Sequence, residues 1–341
     1  MSPIGIADPG DPGDPGDPGD PGDPGSGGGQ LIFGSGVARP MGISPARYHL
    51  FGHFPGLRWP PADLDLKPLT EAAYRPNIEY PRRAWSPNLY ALPVIGELVT
   101  QTANDPNGQS YTWDKIDTLS GWPNWKSFTA ARIDEELADL NLLAEYRFGV
   151  MSEALAQRTG IVKYYSGMLM FSRSSHPRTY DLAQIATTVG QFVVMHYKRN
   201  NKRPRPSQLS PRLMPPIAVP GHASFPSGHA TEAYLMSGLL GKVVPGAVSN
   251  KFDYVASVAS SVAETKEPTS ASLLDRLAER LARNREVLGL HYRSDSDAGK
   301  FLAERTLDLL VKCKTVSELL PGGAEDAQRN EWTVFEAKPG A

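Results

Sequence analysis

The chain has 341 residues, with 35 Lys plus Arg against 37 Asp plus Glu and a single cysteine. That length can bury a sizeable core in one or two domains, and Cys313 alone excludes an internal disulfide framework or a cysteine-rich zinc module. The net charge of −2 hides an asymmetry: residues 1–29 hold six Asp and no basic residue, which leaves 35 basic against 31 acidic groups for the remainder. A mildly basic body suits an anionic ligand and gives no argument for nucleic acid.

Asp8 to Gly25 repeats Asp-Pro-Gly six times and runs into Ser26-Gly27-Gly28-Gly29. Glycine at every third position matches the collagen period, which would make the repeat a trimerisation element. Six triplets are few, however, and the Asp in each would crowd in a trimer, so a disordered, self-repelling tail over 1–29 is the expectation. This stretch also lacks the basic start and apolar block of a secretory leader. Residues 30–128 are rich in Pro and aromatics, as in Trp59-Pro60-Pro61, Tyr80-Pro81-Arg82-Arg83 and Trp122-Pro123. They read as an irregular arm anchored on a core by its aromatics, with one short helix over Asn88–Ala103.

From residue 129 to 313 the pattern is helical. Ile133, Leu137, Leu140, Ala144, Phe148, Met151 and Leu155 form one apolar stripe, with Asp134, Glu135 and Glu136 expected in the first turn. Further helices are expected over Arg178–Lys198, from just before His229 to Leu240, over Ser272–Asn284 and over Asp295–Cys313. The fold class is therefore all-α, a helical bundle, followed by a tail over 314–341. The longest apolar candidate, Tyr234 to Val248, is broken by Lys242 and Pro245. It falls short of the roughly 18 apolar residues of a membrane helix, so the expectation is a soluble protein, cytoplasmic by default, without an integral membrane segment.

Three segments gather the chemistry: Lys198 with Arg205-Pro206, Pro226-Ser227-Gly228-His229, and Arg285 with His291 and Asp295. Singly each has an ordinary reading, as a helix-end Lys, a capping turn or a structural His. Together they complement one another. Ser227 and Gly228 at a helix N-terminus offer backbone N–H groups to a tetrahedral oxyanion. Lys198, Arg205 and Arg285 supply counter-charge. His291 and His229 supply a nucleophile and an acid, and Asp295, four residues after His291, can fix its tautomer.

In these residues and spacings the chain resembles the type 2 phosphatidic acid phosphatase and vanadium-dependent haloperoxidase superfamily. That family's pattern is Lys, six residues, Arg-Pro; then Pro-Ser-Gly-His; then Ser-Arg, five residues, His, three residues, Asp. All three are present in order from Lys198 to Asp295, with Asn284 in place of the usual Ser. The resemblance implies a helical-bundle core and assigns roles. His291 attacks phosphorus, or binds vanadate in a haloperoxidase. Asp295 orients His291, and His229 protonates the leaving oxygen. Lys198, Arg205, Arg285, Ser227 and Gly228 hold the oxygens.

Phosphatase and haloperoxidase share such a site. The six residues after Lys198 are Arg-Asn-Asn-Lys-Arg-Pro, a polar stretch where haloperoxidases often carry bulky aromatics. His291-Tyr-Arg-Ser-Asp-Ser-Asp-Ala-Gly resembles the matching stretch of bacterial non-specific acid phosphatases, although His229-Ala230-Thr231 also occurs in soluble haloperoxidases. The expected activity is hydrolysis of a small phosphate ester through a phosphohistidine, with no cofactor and no metal. The alternative is a haloperoxidase with vanadate on His291, using halide and hydrogen peroxide. A non-catalytic anion-binding scaffold, with the repeat as an oligomerisation element, has no need of both histidines and Asp295. Arg199, Lys202, Arg203, Arg205 and Arg212 read either as a solvated loop or as a rim steering phosphate inward. His222 is placed on the approach loop to the pocket, whereas His196 is expected to pack or cap its helix.

Overall fold

A computed structural model describes residues 85–244, 272–321 and 331–332. The Asp-Pro-Gly repeat and the arm up to residue 84 lie outside the described residues. Residues from Ser86 on group into one compact unit, and the described part is all-α. Its only sheet is a hairpin pairing Ala103 with Tyr111 and Asn104 with Ser110. The helices are α1 (Pro87–Leu98), α2 (Ala130–Leu143), α3 (Arg147–Ala156), α4 (Ile161–Leu169), α5 (Pro177–Asn201), α6 (Pro206–Leu209), α7 (Gly228–Leu240), α8 (Leu273–Val287), α9 (Arg293–Leu310) and α10 (Lys314–Leu319). Among them no helix is long and apolar enough to cross a membrane.

α7 is the centre, packed on α5, α8 and α9. It is buried on nearly all sides, as a helix surrounded by others must be, and Leu235, Met236, Leu239 and Leu240 are fully buried. Each such side chain contributes roughly 1.5–3 kcal/mol on leaving water. α7 and α9 come close enough that a Cβ at Gly299 would lie 2.7 Å from the Ser227 carbonyl oxygen and 2.8 Å from Ala230 Cβ. Glycine at 299 thus lets the segment bearing Asp295 lie directly against the start of α7.

The ends of these helices follow from local sequence. Ser227 caps α7 by accepting from the Ala230 N–H (3.4 Å), and Thr129 caps α2 by accepting from the Arg132 N–H (3.2 Å). Ser272 and Asp275 form a reciprocal capping box on α8. α5 opens on Pro177 with the carboxylate of Glu331 accepting the Arg178 and Thr179 N–H groups (2.8 and 3.0 Å). It closes on Lys202, whose left-handed φ of 53° turns the chain back towards the core.

Several expectations need correction. The stripe from Ile133 to Leu155 is not one helix. A 3-10 turn at Ala144–Tyr146 separates α2 from α3, and α3 then buries Ala154 while Phe148 is 98% exposed. Asp134 to Glu136 fall beyond the first turn, because Thr129 starts α2 earlier. The first short helix ends at Leu98, where the chain turns towards the hairpin. The tail after 313 is partly core: Val316 and Leu319 of α10 and Trp332 are buried in the main cluster, since the end of α9 leaves apolar surface for them. The arm from Ser86 onwards belongs to the same compact unit as the helices. Its aromatics do anchor it, with Trp122 against Tyr197, Phe225 and Phe301 (centroids 5.4, 5.4 and 5.9 Å).

Candidate active site

The site forms where the end of α5, the start of α7 and the α8–α9 loop meet. Lys198, in the last turn of α5 and buried, donates from Nζ to the carbonyls of Ala223 (2.9 Å) and Ser224 (3.2 Å). It thereby fixes the loop that enters α7. Pro204 and Pro206 each disfavour helical backbone in the residue before them, and Arg205 is accordingly extended at φ −68°, ψ 151°. Its buried guanidinium spans the site. Nε donates to the His222 carbonyl (3.0 Å) and Nη1 to the Leu290 carbonyl (3.0 Å); Nη1 also lies 3.1 Å from His291 Nε2 and Nη2 3.0 Å from His222 Nδ1. His222 thus sits at the edge of this cluster, half-buried. His196 packs on Trp113 (centroids 4.8 Å) and meets Asn200.

His291 ends a loop turned by Gly289 at φ 73° and braced by Arg147, which donates to the Val287 carbonyl (2.9 Å). Its Nδ1 lies 3.1 Å from Asp295 Oδ2. An ionised Asp295 accepts only, so the network places a proton on Nδ1 and leaves a lone pair on Nε2, towards Arg205. Burial, reinforced by the Arg205 guanidinium and by Lys198, pushes the imidazole pKa down to about 3 against the pull of Asp295. The ring is neutral at ordinary pH. Burial opposes the charge on Asp295, yet Arg203, His291 and Ser224 hold its carboxyl well below the usual range. Oδ1 accepts from Arg203 Nη1 (2.8 Å), while Oδ2 accepts from Ser224 Oγ (2.5 Å) and the Tyr292 N–H (3.1 Å).

The start of α7 is tied to the same aspartate, because the Ser227 N–H donates to the Asp295 carbonyl (2.9 Å). Gly228 opens the helix, whose first-turn N–H groups lack intrahelical partners by construction. His229 and Arg285 meet at the end of α3. His229 Nε2 lies 3.2 Å from the Gln157 carbonyl. Arg285 donates from Nη2 to the Ala154 carbonyl and to Gln157 Oε1 (3.4 Å). Asn284 donates to Gln157 Oε1 (2.9 Å). An open groove lined by Val150, Met168, Leu277, Arg280 and others reaches Asn284 from outside.

The eight expected site residues are therefore all buried in one region. His291, Asp295 and Arg205 touch directly, Lys198 acts through the loop carbonyls, Ser227 is joined to Asp295, and Gly228 is next to Ser227 at the start of α7. His229 and Arg285 share Gln157. The basic run divides: Arg199, Lys202 and Arg212 are exposed, whereas Arg203 and Arg205 are buried. Reading the run as a solvated loop or a rim fails for those two. The Arg-Pro-Arg-Pro stretch carried a usable signal, since both arginines precede prolines that favour extended backbone. Glu136, Gln157 and Ser224 carried none.

No protein-family model matches the chain, and no curated protein matches it.

Proposed function

We propose that the protein is a phosphomonoester hydrolase that works through a phosphohistidine on His291. One observation carries this reading: a buried, neutral imidazole fixed by Asp295 through Nδ1, with its Nε2 lone pair turned towards a guanidinium. A neutral His aimed at a cationic cradle suits nucleophilic attack on a bound phosphate better than a role as a surface cation. The residues at the family spacings, Asn284 excepted, support the same reading.

On binding, the phosphate oxygens replace the Arg205–His291 contact and are held by Arg205, Lys198, Arg285 and the N–H groups opening α7. Nε2 then forms a bond to phosphorus as the ester P–O bond breaks. His229, as an imidazolium, gives its proton to the leaving oxygen. The neutral His229 next takes a proton from water, whose oxygen bonds to phosphorus as the P–N bond breaks. Inorganic phosphate and free His291 result. Asp295 balances the positive charge on the His291 ring while it is phosphorylated.

The test is hydrolysis of p-nitrophenyl phosphate across pH 4–8 with His291→Ala alongside and orthovanadate as inhibitor. Vanadate fits the same oxyanion-binding residues. The reading requires turnover that needs His291, is blocked by vanadate and yields an acid-labile, base-stable phosphoenzyme. A folded protein with no turnover overturns it. Bromide oxidation with vanadate and hydrogen peroxide in that sample replaces it with the haloperoxidase reading.

A further inference from the structure

Behind His291, on the side away from Arg205, lies a second charged cluster that the proposed chemistry has not used. Arg203 bridges two carboxylates through separate nitrogens: Nη1 to Asp295 Oδ1 (2.8 Å) and Nη2 to Glu136 Oε2 (2.7 Å). Nη1 also reaches Ser294 Oγ at 2.7 Å. The exposures of Arg203, Glu136 and Asp295 are 2%, 8% and 0%. The guanidinium lies 3.7 Å from the ring centre of Tyr292 and faces Trp125 and Phe128 at 5.6 and 5.8 Å. Glu136 uses its other oxygen to accept the Ser294 N–H in the first turn of α9 (3.0 Å). It therefore grips both the arginine and the helix that bears Asp295.

We infer that Arg203 and Glu136 are positioning residues that act through Asp295 to hold His291 with its proton on Nδ1 and to balance the cationic imidazole of the phosphoenzyme. The inference rests on the phosphohistidine reading for its second half only. The charge count gives the reason. Arg203 with Asp295 alone is neutral, and an ion pair this deep has no surplus for a ring that turns positive. Adding Glu136 makes the trio −1, which matches the charge that appears on His291 when Nε2 bonds to phosphorus. The cations on the other side of the ring, Arg205 and Lys198, serve the phosphate oxygens. Buried charges are tolerated when paired and fully hydrogen-bonded, and each Arg203–carboxylate contact is short and fixed by the fork geometry. A lysine has no such fork.

The test uses the full chain labelled with 15N-histidine. The two ring-nitrogen shifts of His291, assigned by their loss in His291→Gln, report the tautomer whether or not the protein turns over. Wild type is expected to show the Nδ1–H form. Arg203→Met is expected to lose it, with a population of Nε2–H appearing, and Arg203→Lys, which keeps the charge without the fork, to lose part of it. Glu136→Gln keeps size and shape. It is expected to lower kcat for p-nitrophenyl phosphate roughly 10-fold, the low end for removing a residue that orients a histidine from behind, with KM within twofold. Asp139→Asn removes a charge from the exposed face of the same helix and is expected to leave both readings unchanged. Unchanged His291 shifts in Arg203→Met overturn the inference, as does an unchanged kcat in Glu136→Gln or an equal loss in Asp139→Asn. If Arg203→Met does not fold, Glu136→Gln decides. If wild type has no turnover, the phosphatase reading fails, and the tautomer in the Arg203 variants still decides the positioning role.

Discussion

The two histidines of the site are held in contrasting ways. His291 is held on both ring nitrogens by side chains, Asp295 on one and Arg205 on the other, and Asp295 is itself saturated by Arg203, Ser224 and the Tyr292 N–H. His229 meets a main-chain carbonyl, that of Gln157, on a segment with no motif of its own. The first environment fixes a tautomer and a neutral state. The second sets one ring nitrogen against a main-chain oxygen. A nucleophile needs a fixed lone pair, which the first arrangement supplies, so the contrast is consistent with His291 as the nucleophile proposed above.

Removing the two rings is the strongest way to break that contrast. His291→Ala is expected to abolish turnover, a loss on the order of 10⁴-fold or more, because no phosphoenzyme can form. His229→Ala is expected to lose roughly 10²- to 10⁴-fold, while a substrate with a good leaving group such as 2,4-dinitrophenyl phosphate recovers much of it. Equal losses on good and poor leaving groups would remove His229 from the acid role. Next comes the support of the second region. Gln157→Leu keeps the main-chain carbonyl under His229 but deletes the acceptor shared by Asn284 and Arg285. It is expected to lower kcat/KM roughly tenfold, as for the loss of one hydrogen bond to a charged group, without moving the His291 ring-nitrogen shifts.

The pH dependence of stability sharpens the comparison further. His291 has a pKa of about 3 in the folded chain against 6.5 as a free side chain. Between those values the unfolded chain binds more protons, so stability rises with pH over that window and is lost as pH falls below about 6.5. Urea midpoints at pH 7 and pH 4.5 are expected to differ less in His291→Asn than in wild type; an equal difference would mean that His291 is not held neutral. The smallest effect concerns the contact that joins both regions. Gly299→Ala pushes a methyl against the Ser227 carbonyl, and is expected to destabilise the fold by about 1–3 kcal/mol. A midpoint unchanged from wild type would show that α7 and α9 can separate freely.

How much of this was legible beforehand varies with the range of the interaction. Helices α5, α7, α8 and α9 were readable because their apolar positions recur within each turn and their caps are local. The failure over Ile133–Leu155 has the same root: periodicity says that residues share a face, but not whether a 3-10 turn rotates the next segment away. Phe148 lies on the expected stripe and faces solvent. The spacing of His291 and Asp295 foretold their contact, since four residues bring side chains together at the start of a helix. Nothing local foretold Glu136, which stands in its helix like any surface glutamate yet meets Arg203 across 67 positions.

By itself, then, the amino-acid order determined the helical class, the three segments that carry the candidate site and the acid–base types available within them. Those follow from patterns a few residues long, set by helix geometry and by the conformational limits of proline and glycine. Tertiary structure alone decided which charges are buried together, which arginine meets Nε2 of His291 and which meets Asp295 behind the ring, and that Gln157 joins His229 to Arg285. The physical reason is that a charge takes its meaning from its surroundings: the same guanidinium is a solvated surface group in water and, between two buried carboxylates, part of the site.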